Sequence, residues 1–535
     1  MREVAVRISR RPWWAASGLV GASGGIAALT LYLSSLAPTL TLANGAGDSG
    51  ELASTAYTLG IAHPTGYPLY TMLGFVVTHL FAVEPARALN AFSALSAAVA
   101  VALAAMTGSA LARCALPQAP RRAALGGVLA AASLAIAPMF WTEAVVTETR
   151  ALTMAQLALV LALLLGPRQL TRRGAVLAAF LYGLALCNHL LALYLCPAVA
   201  VLLWPWATAR PCRWALLAGA VLVGLTPYLY LPWRAAMGPP ANWGDPTTLE
   251  RALWLVSGQQ YHYLMFATGI SGLPRAIWTE LAAVCQELNP LTSAAALLGV
   301  GVVLRRVPRI GWALLGTFAL DLTATANYGA QAAPAYLLLG LLCAVLAAAV
   351  GWCAIAAGLA LTLRRALPAR SASLMAMALV GGAYLVAARG PYLVGAAAVA
   401  ASTSAADRDR GLSILESLPA CAVILASDDS GVMPLWYAQR GLRRRPDVAI
   451  VATGLLQYAW YYDQVRRLPA LDSAALPPSA VSADGYAGYS GLGPRRLRLV
   501  AGALRRSHAL YMISPQAALN AVCRQRPAGL IYRCR

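Results

Sequence analysis

The chain has 535 residues, of which 59% are hydrophobic and 11% are charged, and its formal net charge is +21. This composition excludes an ordinary soluble globular protein and predicts an α-helical polytopic membrane protein. All of the positive side-chain charge comes from arginine, because the chain contains no lysine. The arginines stand between apolar runs, so we interpret them as markers of topology and expect no nucleic-acid partner.

The amino-terminal segment, residues 1–14, is rich in arginine and is expected to be cytoplasmic. A bilayer core of roughly 30 Å needs about 20 apolar residues per helix, and such runs recur through residues 15–400. The stretch 174–205 is divided at Asn188-His189, because both of its flanks carry arginine. The spans predicted in this way are 15–35, 87–112, 123–139, 151–166, 174–188, 190–205, 214–231, 285–304, 311–326, 333–362 and 372–396. They amount to about eleven transmembrane helices, with the carboxyl terminus outside.

Two large external loops are expected, near 36–86 and 232–284. Within residues 1–400, every carboxylate except Glu3 lies in or beside a segment assigned to the outer face. Acidic residues contribute little to orientation, so this segregation favours a negatively charged catalytic or ligand-binding surface. The alternative is that solvated loops simply tolerate charge.

Residues 401–535 have shorter apolar runs and more charge, which predicts an extracytoplasmic α/β domain. The segments 419–427 and 446–453 have the pattern of buried strands, and 457–468 has the spacing of an amphipathic helix. Cys523 and Cys534 can pair there in an oxidising compartment. No zinc-type cysteine and histidine spacing is present.

Several motifs resemble those of a GT-C-type membrane glycosyltransferase family that includes the transmembrane O-mannosyltransferases of plexin-type IPT domains. The most specific is Asp48-Ser-Gly-Glu51 followed by LGIAHPTGYPLY at 59–70. The others are FWTEAVVTE at 140–148, Asn188-His189, YLPWR at 230–234, NWGDP at 242–246, residues 428–437 and RPD at 445–447. The chain departs from the expected pattern at Thr65, where the family motif has proline, and at Thr149-Arg150, where it has an aromatic residue.

The resemblance implies a polyprenyl-phosphate-linked sugar donor and transfer of a hexose, with inversion, to a hydroxyl of a protein or glycan acceptor outside the cytoplasm. The lysine-free, alanine- and arginine-rich composition indicates a GC-rich bacterial genome. The expected location is therefore the bacterial inner membrane, in contact with membrane lipid, with the active site and the carboxyl-terminal domain facing the periplasm.

Glycosyl transfer to a hydroxyl needs a base to accept its proton, and Asp48 is the leading candidate. The alternative is that Asp48 caps a helix beginning near Ser49. Glu51, three positions later, either orients this base or serves as a capping partner. His63 and Tyr67, in the proline-containing turn, are candidate substrate-binding residues that also stiffen the loop.

The departing phosphate prefers arginine or protonated histidine, so Arg234, His189 and Arg150 are the donor-phosphate candidates, each with an interfacial anchor as the alternative. Further candidate substrate-binding residues are Glu143, Glu148, Asn242, Trp243 and Asp245. We assign no metal site and no certain cofactor, although Glu143 and Glu148 leave a divalent metal open.

Asp428 and Asp429 follow a predicted strand, where α/β folds commonly present ligand-binding groups. They either help to receive the acceptor or cap the next helix.

Two other classes stay open from the sequence, a polytopic transporter and a non-catalytic membrane scaffold. A transporter is expected to show internal repeats and polar groups near the midplane of discontinuous helices.

The arginine pattern makes a testable prediction about topology. A tag inserted near Ser479 should be accessible from outside the cell, because an odd number of spans separates it from the arginine-rich amino terminus. Protease or antibody access in intact and in permeabilised cells measures this, and a tag that is reached only after permeabilisation would contradict the assignment.

Overall fold

The computed structural model describes residues 13–43, 47–166, 170–329, 333–468, 493–506 and 508–535. Through Ala401 the described chain is almost entirely helical. Its helices are α1 (Trp13–Ser34), α2 (Ser49–Thr58), α3 (Pro68–Leu80), α4 (Pro85–Ala115), α5 (Pro120–Ile136), α6 (Pro138–Ala144), α7 (Thr149–Leu164), α8 (Arg172–Leu186), α9 (Cys196–Ala207), α10 (Cys212–Gly224), α11 (Tyr230–Ala235), α12 (Leu249–Val256), α13 (Gly269–Leu288), α14 (Pro290–Arg306), α15 (Pro308–Ala326), α16 (Leu338–Leu363) and α17 (Ala369–Ala401). Short 3-10 helices lie at Leu190–Leu195, Thr226–Leu229, Gln259–Leu264 and Ala333–Leu337.

Many of these helices begin with proline, including α3, α4, α5, α14 and α15. Proline suits the first helical position because its fixed φ is already helical and its missing N–H would have no partner there. The same residue cannot continue a preceding helix without a break. The chain accordingly bends by 68° between α5 and α6 and by 109° between α13 and α14.

Within the described residues, five helical segments are long and apolar enough to cross a membrane, or eight if each of three bent pairs forms one span. The predicted spans lie in helical segments, but 123–139 and 285–304 cross the bends between α5 and α6 and between α13 and α14. The predicted division at Asn188-His189 lies between α8 and the 3-10 helix that follows it. The predicted number of about eleven spans is not confirmed. One reason is length, because helices such as α7, with 16 residues, fall short of a full span.

Helix α16 is the centre of the membrane region and is buried along most of its length. It packs against α4, α5 and α14. Glycine lets α16 and α14 cross closely, because a Cβ atom added at Gly351 would lie 1.8 Å from the carbonyl oxygen of Ala295 in α14. Small residues of this kind let membrane helices approach each other backbone to backbone.

The carboxyl-terminal part is the expected α/β domain. Its helices are α18 (Ala406–Ser417), α19 (Asp429–Trp436), α20 (Ala459–Arg466) and α21 (Gly493–Leu504), and its strands are β1 (Val423–Ala426), β2 (Ala449–Ala452), β3 (Leu510–Met512), β4 (Gln525–Ala528) and β5 (Ile531–Cys534). The strand order is β2-β1-β3-β5-β4, parallel from β2 to β3 and antiparallel beyond it. The two strands expected from the sequence are β1 and β2, the predicted helix is α20, and Cys523 and Cys534 form a disulfide.

This domain is docked on the external loops through buried polar contacts. The Tyr437 hydroxyl donates to Glu84 Oε1 (2.7 Å) and accepts from the backbone N–H of Ala86 (3.1 Å). Arg408 forms an ion pair with Glu84 at 3.1 Å. Helix α19 packs so closely on α2 that a Cβ added at Gly50 would lie 2.6 Å from the carbonyl oxygen of Met433. The first external loop is therefore enclosed between the membrane helices and the carboxyl-terminal domain.

Candidate active site

Asp48 lies immediately before α2 and makes no side-chain capping hydrogen bond. Its side chain is 39% exposed. The helix start is held instead by Ser49, whose hydroxyl donates to the carbonyl of Thr41 at 2.7 Å. The capping role that the sequence left open for Asp48 is not found, and its carboxylate is accessible to a substrate.

Glu51, one turn into α2, is 2% exposed and binds His63 through both carboxylate oxygens. Its Oε1 accepts the backbone N–H of His63 (2.7 Å), and its Oε2 contacts His63 Nδ1 at 2.5 Å. An ionised carboxylate only accepts hydrogen bonds, so Nδ1 carries the proton. Glu51 therefore orients His63, and its oxygens are not used to cap the helix.

His63 connects Glu51 to Asp48. Its Nε2 lies 3.1 Å from the Tyr67 hydroxyl and 3.7 Å from Asp48 Oδ2. Burial by itself lowers the pKa of His63, but the Glu51 and Asp48 carboxylates outweigh it and raise the pKa to about 10. His63 therefore brings a positive charge next to the proposed base.

His189 also lies in this site, but as a neutral ring. It stacks on Tyr67, with ring centroids 5.8 Å apart, and lies 5.9 Å from the ring of Tyr336. Its Nδ1 accepts the backbone N–H of Leu191 at 3.0 Å, so this nitrogen carries no proton. Burial, followed by the charge of Arg150, lowers the pKa of His189 to about 3. The structure therefore does not support a positive charge on His189 for binding phosphate.

Arg150 is the centre of a buried ionic cluster. Its guanidinium donates to both oxygens of Glu143 (2.8 and 2.9 Å) and lies 3.2 Å from Glu148 Oε1. Burial raises the pKa of Glu148, against the opposing charge of Arg150, to about 8. The sequence expected Glu143 and Glu148 to contact substrate, and the structure has them in contact with Arg150.

Asp48 and the Arg150 cluster both lie close enough to Tyr67 to influence its hydroxyl. Burial raises the pKa of Tyr67 well above its ordinary value, and charges at Asp48, Glu148 and Arg150 all act on its hydroxyl. Arg234, in contrast, donates to the carbonyls of Thr58 and Leu59 at the carboxyl end of α2, whereas Asp48 lies at the amino end. The structure does not bring Arg234 to the base.

The second external loop reaches the site through Trp243. The backbone of Ile61 pairs with this loop, donating to the carbonyl of Ala241 (2.7 Å) and accepting from the N–H of Trp243 (3.2 Å). The Trp243 ring consequently lies 6.0 Å from His63. Asp245 is bound to Arg251 at 2.7 Å and accepts from Asn242, so these polar groups shape the loop itself.

Sequence reasoning did not single out several residues that the fold brings here. The ring of Tyr261 lies 6.4 Å from His63, and Tyr336 contacts His189. Asp429, which the sequence analysis did name, is an exposed residue at the start of α19; desolvation, followed by the charges of Asp48 and Glu51, raises its pKa to about 6. Tyr261 and Tyr336 stand in segments without a distinctive motif, so only the fold could identify them.

Asp428, unlike Asp429, caps helix α19 with its side chain. Its Oδ1 accepts the backbone N–H of Gly431 at 2.8 Å. The capping alternative is therefore correct for Asp428.

Asp48, Glu51 and His63 offer ligand atoms that all lie within 4.8 Å of one another, a spacing that could hold a metal ion. Both oxygens of Glu51, however, already accept hydrogen bonds from His63. A metal would have to displace those bonds, so we treat the three residues as a hydrogen-bonded group and derive no step through a metal.

Two family models and curated relatives match parts of this chain. Residues 48–208 match the family model described as the Protein O-mannosyl-transferase TMEM260 N-terminal domain, and residues 407–491 match TMEM260-associated domain 2. The mouse Protein O-mannosyl-transferase TMEM260 is 32% identical over 236 residues, which cover 42% of this chain and 32% of the mouse protein. A Dictyostelium discoideum protein of the same description is 53% identical over 34 residues, 6% of this chain and 4% of that protein. The chain thus matches about a third of the length of the mouse relative.

Two solved structures share the whole fold. ArnT from Cupriavidus metallidurans bound to undecaprenyl phosphate aligns with a TM-score of 0.57 at 14% identity, covering 96% of this chain and 97% of ArnT. The apo state of the same protein aligns with a TM-score of 0.51 at 15% identity, covering 97% and 98%. The fold is therefore that of the GT-C class of membrane proteins. Residues 48–208 and 407–491 of this chain are thus similar to two domains of the TMEM260 O-mannosyl-transferases.

The charge on His63 makes stability depend on pH. Because the pKa of His63 is raised from 6.5 to about 10, its contribution to stability is complete below pH 6.5 and is lost as the pH rises through 10. We expect the apparent melting temperature in detergent to fall across this range for the unsubstituted protein and to fall less for His63→Gln.

The control is His262→Gln, which changes an exposed histidine and should keep the original pH dependence. Identical pH profiles for His63→Gln and the unsubstituted protein would contradict a charged His63.

Proposed function

We propose that this protein is a membrane glycosyltransferase that transfers a hexose from a polyprenyl-phosphate donor to a hydroxyl of a protein acceptor at the outer face of the membrane. The fold shared with ArnT and the family matches support the class. The named activity of the mouse relative supports a mannosyl group and a protein acceptor. A glycan hydroxyl is the second acceptor consistent with the same chemistry.

The observation that carries this proposal is the state of Asp48. Its carboxylate is partly exposed, makes no capping bond and lies 3.7 Å from a positively charged His63 that Glu51 holds in place. A carboxylate that merely stabilises a helix start would bind the backbone N–H groups of its first turn. Asp48 instead has a partly exposed carboxylate with no side-chain capping bond, and a general base needs such access to its substrate.

The reaction then balances in a single displacement. The acceptor oxygen forms a bond to the anomeric carbon while the bond from that carbon to the phosphate oxygen breaks. The acceptor proton passes to Asp48, and the electron pair leaves with the polyprenyl phosphate. Inversion at the anomeric carbon, which the family resemblance implies, is the expected outcome of one such displacement.

Arg150 is the donor-phosphate candidate that the geometry favours among the three considered. It acts on the same Tyr67 hydroxyl as Asp48, whereas His189 is neutral and Arg234 is bound at the far end of α2. A guanidinium held by Glu143 in a fixed orientation can present its remaining N–H groups to a phosphate. The positive charge of His63 adds to the field at the leaving group.

The location follows from the topology proposed above. The active site and the carboxyl-terminal domain would face the periplasm of a bacterial inner membrane, where lipid-linked donors and secreted acceptors meet. The docked domain encloses the site, so the acceptor would approach along the surface between this domain and the two external loops.

The first test replaces the base. Asp48→Asn should lower transfer by about 10²- to 10⁴-fold, because the amide keeps the shape of the side chain but cannot accept a proton. The measurement is transfer of radiolabelled hexose from a panel of polyprenyl-phosphate sugars to acceptor peptides.

Glu416→Gln is the matched control, because it makes the same chemical change at an exposed carboxylate of α18 and should leave transfer unchanged. Transfer by Asp48→Asn within about twofold of the parent would remove Asp48 from the role of base.

The second test addresses the donor phosphate. Arg150→Lys keeps the charge but loses the planar pair of hydrogen bonds, so the apparent KM for the donor should rise roughly tenfold or more. The acceptor KM should change much less. Arg444→Lys, at an exposed ion pair with Glu416, controls for the substitution itself. Equal changes in both KM values would show that Arg150 serves packing alone.

A further inference from the structure

A groove lies between α8 and α10, at the amino end of both helices. Its volume is about 510 Å³, and we call it the α8–α10 groove. The residues that line it are Arg172, Arg173, Val176, Leu177, Phe180 and Leu216. The first five are spaced along one side of α8, and the last belongs to α10. The groove therefore has two arginines at one end and apolar side chains for the next two turns of α8.

The position of the groove follows from the way the two helices cross. A Cβ atom added at Gly183 would lie 2.4 Å from the carbonyl oxygen of Val221, and one added at Gly224 would lie 2.3 Å from that of Phe180. These close contacts are near the carboxyl ends of α8 and α10. The groove lies on the other side of the crossing, where branched and aromatic side chains replace glycine.

Tryptophans indicate that the arginine end of the groove is at the membrane surface. Trp204, near the end of α9, and Trp214, in the first turn of α10, are 58% and 45% exposed, and their rings lie 5.5 Å apart. Tryptophan is enriched at the boundary between lipid and water. Leu177 is 46% exposed within the groove. The apolar part of the groove is therefore accessible from the lipid, and its arginines lie at the level of the head groups.

The arginines of the groove lack a counter-charge within the described residues. No ion pair or side-chain hydrogen bond is found there for Arg172 or Arg173, and residues 149–244 contain no aspartate or glutamate. Arg213, in contrast, donates to the carbonyl of Trp206 at 2.9 Å and lies over its ring. The amino end of α8 adds a partial positive charge beside Arg172. A ligand that suits this end of the groove must carry negative charge.

We propose that the α8–α10 groove binds one anionic phospholipid, with its phosphate at Arg172 and Arg173 and an acyl chain along the apolar side chains. Guanidinium groups form paired, charge-assisted hydrogen bonds with phosphate. Basic pockets between membrane helices on the cytoplasmic side are known sites for anionic head groups. A lipid uses both parts of the groove, whereas a soluble phosphate compound would use the arginines alone.

This lipid is distinct from the substrates of the proposed reaction. The arginines stand at the amino end of α8, and Asn188-His189 follow its carboxyl end. A rise of 1.5 Å per residue separates the two ends of this 15-residue helix by about 20 Å. The inference therefore goes beyond the proposed function and does not depend on it. A bound lipid would instead hold α8 and α10 together on the side of their crossing where the helices leave a groove.

The experiment measures lipid binding to the full chain in detergent by native mass spectrometry. Phosphatidylglycerol and phosphatidylcholine with the same acyl chains are compared, and we expect the anionic lipid to bind more tightly. Arg172→Gln combined with Arg173→Gln should weaken binding of the first phosphatidylglycerol roughly 30-fold, or about fivefold for each arginine, and should leave phosphatidylcholine binding unchanged.

The matched control is Arg305→Gln combined with Arg306→Gln. These neighbouring arginines are exposed in the last turn of α14, on the same arginine-rich face, and they do not line the groove. The control removes the same charge and should keep the affinity of the parent for phosphatidylglycerol. Equal weakening by the two double substitutions would show a general attraction to the basic face and would overturn the proposal.

A second variant tests the apolar part of the groove. Leu216→Trp adds bulk to the groove and should weaken phosphatidylglycerol binding, whereas Leu222→Trp, at a residue of the same helix that is 65% exposed, should not. Melting temperatures identify any variant that fails to fold, in which case the other variant decides.

Two measurements on the unsubstituted protein can overturn the proposal without any variant. Equal affinity for phosphatidylglycerol and phosphatidylcholine would exclude an anionic lipid site. Displacement of phosphatidylglycerol by equimolar glycerol phosphate would show a site for soluble phosphate compounds, because a groove that also binds an acyl chain must prefer the lipid.

Discussion

The contact between Glu51 and His63 is the constraint on which the rest of the site depends. A buried carboxylate is tolerated only when its oxygens are satisfied, and here both oxygens are used by one residue of the following loop. The loop is thereby held against α2, and His63 is placed between Glu51 and Asp48. Removing either partner would leave a buried charge or donor without its counterpart. The same contact therefore both orients the His63 ring and holds the loop in place.

The second requirement is enclosure. Membrane helices alone would leave Glu51 and the first external loop open to water, where ion pairs and hydrogen bonds are weak. The carboxyl-terminal domain closes this space by docking α19 on α2 and by burying Tyr437 against Glu84. Enclosure lowers the local dielectric, which strengthens every charge interaction around Asp48. It also brings Trp436, Trp460 and Arg440 of this domain close to Glu51 of α2.

The charged side chains of the site differ in how firmly their neighbours hold them. Glu143 and Glu148 are buried against Arg150 and hold its guanidinium in one orientation. His189 contributes a neutral aromatic surface next to Tyr67. Asp48 is partly exposed, and its side chain makes no capping hydrogen bond. A partly exposed carboxylate among side chains of fixed orientation is suited to accept a proton without a large rearrangement.

The sequence alone determined what depends on composition and local pattern: the helical membrane architecture, the two strands β1 and β2, the disulfide pair and the motif containing Asp48, Glu51 and His63. These features can be predicted because the periodicity of apolar residues, the positions of proline and the spacing of a motif are all set by residues close together in the sequence. The tertiary structure decided which polar groups meet. It bound Arg234 at the far end of α2, neutralised His189 by burial beside Arg150 and assigned Asp428 to a cap. Burial and partner identity determine the charge of such groups, and both arise from segments that are distant in the sequence.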